Sequence, residues 1–386
     1  MRRAWIVLFL LISLVLRANA QMGKNISLAA GSPEDKAYSA ISAAGDPAQK
    51  IALLDQFMKD FGGNPDLALL ANQLYASVYL DAKNYDQAIE YGEKVLAADP
   101  DNFPGAMILV RAAQGKGDAQ KVFDYGDKAL AIATRYKAAP APAGISAEQW
   151  KQQQDEMQKT AASDLEFVQY AEFTSAYEVM DGAAKAALFE RFLKTYPDST
   201  YARNAVEALA FAYQQANNTP KMLITAQQVL AKDPTNVSML ILLADNYSDK
   251  GQHMEEAAAD AQKALDALAS AKKPDAVSHA DWDKQTALQK GMAYSVLGHV
   301  DVIRGKSAQA VALFKQASPL LQPYNFYNGR NLYLLGFTLA KMEQYPDARK
   351  YLQQAVAVDS PYRSLAQQTL AKIPAGTSSG HKSHNP

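Results

Sequence analysis

Small and apolar residues recur along the chain in steps of twelve and seven, with charged and amide residues between them, and the set repeats about every 34 residues. Ala76 is followed by Tyr79, Ala88, Val95 and Pro100, and Val110, Val122 and Ala129 stand 34 residues after Ala76, Ala88 and Val95. Downstream, Ala210, Met222, Val229 and Pro234 keep the same steps; Ala244 follows Ala210 by 34, and Ala257 arrives one residue late. Gly298, Ala310 and Ala317, then Gly336, Ala348 and Ala355, complete the series. This spacing predicts pairs of antiparallel helices whose axes approach closely where a small side chain marks the crossing. Asp99-Pro100 and Asp233-Pro234 end second helices, because proline lacks an amide donor and turns the residue before it away from helical geometry. Such a pair cannot bury its apolar stripe alone, so it stacks on its neighbours. The predicted fold is all-α, a solenoid in which antiparallel helix pairs build a right-handed superhelix.

Tyr79, Tyr85-Asp86-Gln87-Ala88-Ile89 and Ala98-Asp99-Pro100-Asp101-Asn102 resemble the consensus of the tetratricopeptide repeat (TPR) family. The likeness extends over roughly 67–136 and 201–359, without the family's opening tryptophan, and with Val110, Val122 and Met222 in place of small residues. The resemblance implies a protein or peptide partner held on a surface lined by the first helix of each pair. Counting by helical turns from the packing residues places Gln73, Arg111, Glu207, Phe211, Asp245, Tyr333 and Phe337 on that surface as candidate partner-binding residues. Met107, Ile241, Ser248, Arg330 and Lys341 fall beside them. Members of the family that hold the carboxylate tail of heat-shock chaperones use clustered lysine, arginine and asparagine. Here Arg111 stands nearly alone, and Asp245 with Asp249 has the wrong sign.

A longer unit overlies the short one. Lys50–Phe61 lines up with Lys185–Tyr196, and Asp99-Pro100-x-Asn102 with Asp233-Pro234-x-Asn236. Pro142, Ser146 and Trp150 are matched by Pro274, Ser278 and Trp282. The expected organisation is a leader at 1–20, a flexible segment at 21–36, and a first block at 37–165 with an insertion at 137–160. A second block follows at 166–300 with an insertion at 272–283, then terminal repeats and a capping helix at 301–373 and a disordered tail at 374–386. In each insertion serine caps a helix and tryptophan either fills core or serves as a docking handle. The run Pro323–Arg330, with three aromatics and two asparagines, is expected to fill the join before the last repeat, either stapling repeats or recognising a partner.

Arg2 and Arg3 precede a stretch of 13 residues from Ala4 to Leu16 that is apolar but for Ser13, and Ala18-Asn19-Ala20 has the small residues that signal peptidase requires. The run is shorter than the about 20 residues of a spanning helix, so the expected fate is export to the periplasm or medium, without membrane embedding. Cleavage after Ala20 leaves 366 residues with 36 basic and 40 acidic side chains, a balance with no pull toward nucleic acid. The absence of cysteine excludes disulfides, thiolate metal sites and a lipoprotein anchor. His253, His279, His299, His381 and His384 show no zinc-site spacing, and no phosphate loop or nucleophile motif occurs. No catalytic, cofactor-binding or metal residues are therefore expected, and no cofactor. The predicted function is a non-catalytic exported scaffold for protein–protein interaction. The segment Phe189–Ala202 also resembles periplasmic repeat proteins of the BamD and Tol–Pal-associated type, which implies envelope assembly or cell division as the alternative role, with an enzyme on envelope polymers a third.

Overall fold

A computed structural model describes residues 22–374, which form seventeen helices and no strand. The leader expected at 1–20 and all but the first residue of the expected tail lie outside the described residues. The chain divides into two compact units, one ending at Ala205 and the other beginning at Val206.

In the first unit α1 (Pro33–Ala43) and α2 (Pro47–Phe61) precede α3 (Pro65–Asp81) paired with α4 (Tyr85–Ala98) and α5 (Phe103–Lys116) paired with α6 (Ala119–Ala138); α7 (Ala147–Glu178) and α8 (Gly182–Thr195) follow. Capping explains the helix starts. Ser32, Asp46, Asn64, Asn102 and Asp118 each accept a hydrogen bond from a backbone N–H of the first turn, satisfying donors that have no intrahelical partner. Proline in the first turn of α1, α2, α3 and α5 fixes the entry geometry at no hydrogen-bond loss. Leu54, Phe57, Leu69, Leu109, Phe123, Phe189 and Phe192 are fully buried, each contributing about 1.5–3 kcal/mol of hydrophobic stabilisation.

α9 (Ala202–Gln215) carries the division in its first turn. The second unit continues with α10 (Thr219–Lys232), α11 (Val237–Lys250) paired with α12 (Met254–Ser270), α13 (His279–Ile303) with α14 (Ser307–Leu321), α15 (Asn325–Lys341) with α16 (Tyr345–Ala357), and a closing α17 (Arg363–Lys372).

The crossing positions are those of the sequence pattern. Ala76, Ala88, Val95, Val110, Val122, Ala129, Ala210, Ala244, Ala257, Ala310, Ala317, Ala348 and Ala355 have no accessible surface. A Cβ at Gly298 would lie 2.7 Å from the Phe314 ring, and one at Gly336 2.7 Å from Leu352, so these two helix pairs approach too closely for even an alanine to fit unaltered. Replacing Ala88 with phenylalanine should lower stability by about 1–3 kcal/mol. The same change at half-buried Gln73 should stay within about 0.5 kcal/mol; equal urea midpoints for the two variants would contradict the register.

Four expectations differ from the structure. The segment 21–36 is not free along its length, since Met22 is buried and α1 starts at Pro33 behind its Ser32 cap. The block boundary at 165/166 falls inside α7, which runs unbroken for 32 residues because it contains neither proline nor glycine and packs against both α6 and α8. The insertions are accordingly loops leading into lengthened first helices, not added helices: Ser146 and Ser278 cap α7 and α13. Trp150 packs on Tyr136 with ring centroids 5.2 Å apart and donates its indole N–H to the Ala139 carbonyl at 2.8 Å. The run Pro323–Arg330 does not fill the join before the last pair beyond Tyr324, for Asn325–Arg330 forms the opening turns of α15.

Candidate functional site

In the second unit α11, α13 and α15 are the first helices of three successive pairs, and their polar residues meet around Arg330. Arg330 is 4% exposed. One terminal nitrogen donates to Asp245 Oδ1 and the other to Asp249 Oδ1, both at 2.5 Å. Asp245 and Asp249 are one turn apart on α11, so a single fork grips one face of that helix. Burial opposes the guanidinium charge, and the two carboxylates more than offset it. His299 on α13 lies with Nδ1 3.9 Å from Asp249 Oδ1, and among the described residues that nitrogen has no hydrogen-bond partner. Burial, reinforced by Arg330, pushes the imidazole down to about 4, so it is neutral at neutral pH. The cluster then carries one net negative charge. The Asp245 side chain is 14% exposed and that of Asp249 45%, which makes Asp249 the carboxylate that a ligand can reach. Burial raises the Asp249 carboxyl above its ordinary range, against the pull of Arg330.

One and two turns further along α15 the surface becomes aromatic. Tyr333 lies 5.9 Å from Phe337 and stacks on Tyr362 at 6.0 Å. Tyr333 and Phe337 wall a cleft of about 370 Å³ whose other side is Leu365, Gln368 and Lys372 of α17. Lys341 also lines it, with Nζ 4.9 Å from the Phe337 centroid. An apolar side chain fits the aromatic wall, and the two ammonium groups suit a neighbouring acid.

The structure brings Asp245, Tyr333 and Phe337 onto this one stretch of the second unit, joined through Arg330 and Tyr362. Phe211 is 42% exposed on α9. Glu207, on the same helix, accepts a hydrogen bond from Asn236 Nδ2 at 2.8 Å. Gln73 and Arg111 belong to the first unit. Arg111 does not stand alone: it donates to Asp164 Oδ1 at 2.6 Å and its guanidinium covers the Phe167 ring at 4.4 Å. Nor do Asp245 and Asp249 present bare negative charge, because Arg330 lies between them. Met107, Ile241, Ser248 and Arg330, expected on the open surface, are buried. A first helix is flanked by its own second helix and by the pairs before and after it, so its free face is narrower than helical counting assumes. His299 and Tyr362 were not among the expected site residues. The available signal was opposite charge on first helices two pairs apart.

Residues 70–102 match the tetratricopeptide repeat family, and the all-α arrangement of stacked helix pairs is the architecture of such proteins. No curated protein matches the chain significantly. Among solved structures, a thermophilic TPR protein of Thermus thermophilus is 18% identical with a TM-score of 0.35, the match covering 53% of this chain and 97% of that one. The Cut9–Hcn1 hetero-tetramer of APC/C gives 14% identity and a TM-score of 0.44 over 88% of this chain and 63% of that one. Yeast Tom70 gives 13% and 0.39, over 87% and 77%. These likenesses concern the fold alone. TPR proteins are generally interaction scaffolds without catalysis, and no helix among the described residues is long and apolar enough to cross a membrane.

Proposed function

We propose that the chain is an exported, non-catalytic scaffold that holds a peptide or a partner's helix on the face shared by α11, α13 and α15. The observation that carries this reading is the Tyr333–Phe337 cleft, an aromatic wall left open beside Lys341 at the end of α15 and Lys372 at the end of α17. A partner residue entering it loses apolar surface to water at about 25 cal/mol per Å², and aromatic walls of this kind concentrate binding energy in a few contacts. Lys341 and Lys372 select an acid next to that anchor, and Asp249 favours a cationic group at the other end of the face. The exposed charges act on specificity and association rate more than on affinity. Export follows from the leader-like sequence at 1–20.

The test is capture from an envelope extract by a tagged chain recovered from the same compartment, whose first residue should be Gln21. Phe337→Ala should lose the captured partner while far-ultraviolet circular dichroism is unchanged, and Phe211→Ala, on α9, gauges how far the binding face extends. Full capture by Phe337→Ala, or recovery of the chain with residues 1–20 intact from the cytosol, would overturn the respective half of the proposal.

A further inference from the structure

A second site lies in the first unit, around the extended residues that precede α1. Met22 is 3% exposed and packs into the cluster that contains Phe103, Ile132, Tyr136, Ala161 and Leu165. Its carbonyl accepts the Phe103 N–H at 3.2 Å, and two residues on the Lys24 N–H donates to Asp99 Oδ2 at 2.7 Å. That oxygen also receives Asn102 Nδ2 at 3.0 Å. Gly23, between them, has φ +113°, and a Cβ there would lie 2.7 Å from Asp99 Oδ2 and 3.0 Å from the Asn102 Cα. Only glycine meets both conditions without strain. A long apolar residue followed by glycine is therefore read by side-chain pocket, backbone hydrogen bonds and steric exclusion at once.

The pocket is larger than its occupant. Clefts of about 400 Å³ and about 230 Å³ adjoin Met22, the first along Asp99, Asp101, Ile132 and Arg135, the second along Leu130, Gln158 and Leu165. Tyr136 lines both, and its hydroxyl is buried with no hydrogen-bond partner among the described residues, an arrangement that costs free energy unless a ligand supplies one. The pocket is also not a general product of the repeat. Counting from the buried crossing residues Ala129 of α6 and Ala264 of α12, the places of Ile132 and Tyr136 are taken in α12 by Ala267 and by Ala271 at its cap.

We propose that this cleft is a second peptide-binding site, selective for an extended segment with a long apolar residue followed by glycine, and that Met22-Gly23-Lys24 fills it as an exchangeable internal ligand. It is distinct from the α11–α15 face and does not depend on it. A partner carrying the same pattern competes with the chain's own segment, and an attached segment acts at roughly millimolar effective concentration. Free peptide at micromolar concentration is then excluded until the segment is released.

The probe is a fluorescent hexapeptide with the sequence of residues 21–26, Gln-Met-Gly-Lys-Asn-Ile, read by polarisation. Gly23→Val in the whole chain should eject the internal segment and bind the probe at least about tenfold tighter than the unaltered protein, as expected when the competent fraction rises. The same probe with valine for glycine should not bind. A folded Gly23→Val chain with no gain in affinity would overturn the proposal and make the segment a fixed clamp. Should that variant fail to fold, amide exchange in the unaltered protein decides. Phe103 and Lys24 N–H groups that exchange faster than the core of α5 support an exchangeable ligand, and exchange only on global unfolding refutes it.

Discussion

Replacing Arg330 with alanine should destabilise the second unit by about 3–5 kcal/mol, the usual result of leaving a buried charge without its partner. The loss falls mainly on Asp245, whose side chain is 14% exposed and would keep a carboxylate that water barely reaches. Asp249, 45% exposed, can rehydrate. Removing the positive charge also removes one of the two influences that hold His299 near 4, while Asp245 still favours the imidazolium. His299 should then protonate closer to neutrality and partly replace the lost cation, so the Arg330→Ala penalty should shrink as the pH is lowered. The double change Arg330→Met with Asp245→Asn, which removes charge from both sides, should cost less than Arg330→Ala alone. Urea unfolding followed through Trp282, with Trp150 replaced by phenylalanine in a chain beginning at Gln21, measures all three. An Arg330→Ala midpoint equal to that of the unaltered protein would mean that the fork contributes nothing net.

The repeat was legible because its constraint is steric and local. A small residue is needed wherever two helices cross, and Ala76, Ala88, Gly298 and Gly336 state that need within a single pair. The caps were legible for the same reason: Ser146 and Gln149 satisfy each other's backbone donors within one turn. The Arg330 cluster was not, because Asp245 and Arg330 are 85 residues apart and only the stacking of α11, α13 and α15 makes them neighbours. Helical counting gave the angle of Asp245 and Tyr333 on their helices but not which side the adjoining pairs cover. The docking of Met22 was hidden for another reason. It lies outside every repeat, and its pocket depends on Ile132 and Tyr136, more than a hundred residues further along the chain. One local sign does mark the start of α1: Ser32-Pro33-Glu34-Asp35 combines a capping serine, a first-turn proline and acids at a helix start, which argues against a flexible segment reaching to 36.

Glu172→Gln should stabilise the first unit at neutral and alkaline pH and leave it nearly unchanged in mild acid. Glu172 on α7 is 1% exposed and faces α6 at Gly126, where any Cβ would collide with its Oε1. Burial raises its carboxyl to about 8, with Asp127 adding to the effect and the Tyr196 hydroxyl and Arg191 opposing it. Tyr196 donates to Oε1 at 3.3 Å, whereas Arg191 is engaged by Asp124 at 2.9 Å and Asp127 at 2.6 Å. Between the ordinary carboxyl value of 4.5 and about 8, the folded chain keeps a proton that the unfolded chain releases. Stability therefore falls as pH rises through this window, by about 1.4 kcal/mol per unit at most, and levels off above it. Glutamine resembles the protonated acid: its carbonyl accepts from Tyr196, and it has no charge to lose. The expected gain for Glu172→Gln is roughly 2–4 kcal/mol near pH 8, vanishing toward pH 4.5, in urea unfolding followed through Trp150. Parallel stability curves for variant and unaltered protein across that range would show that water reaches the Glu172 carboxylate and that the α6–α7 contact is not dry.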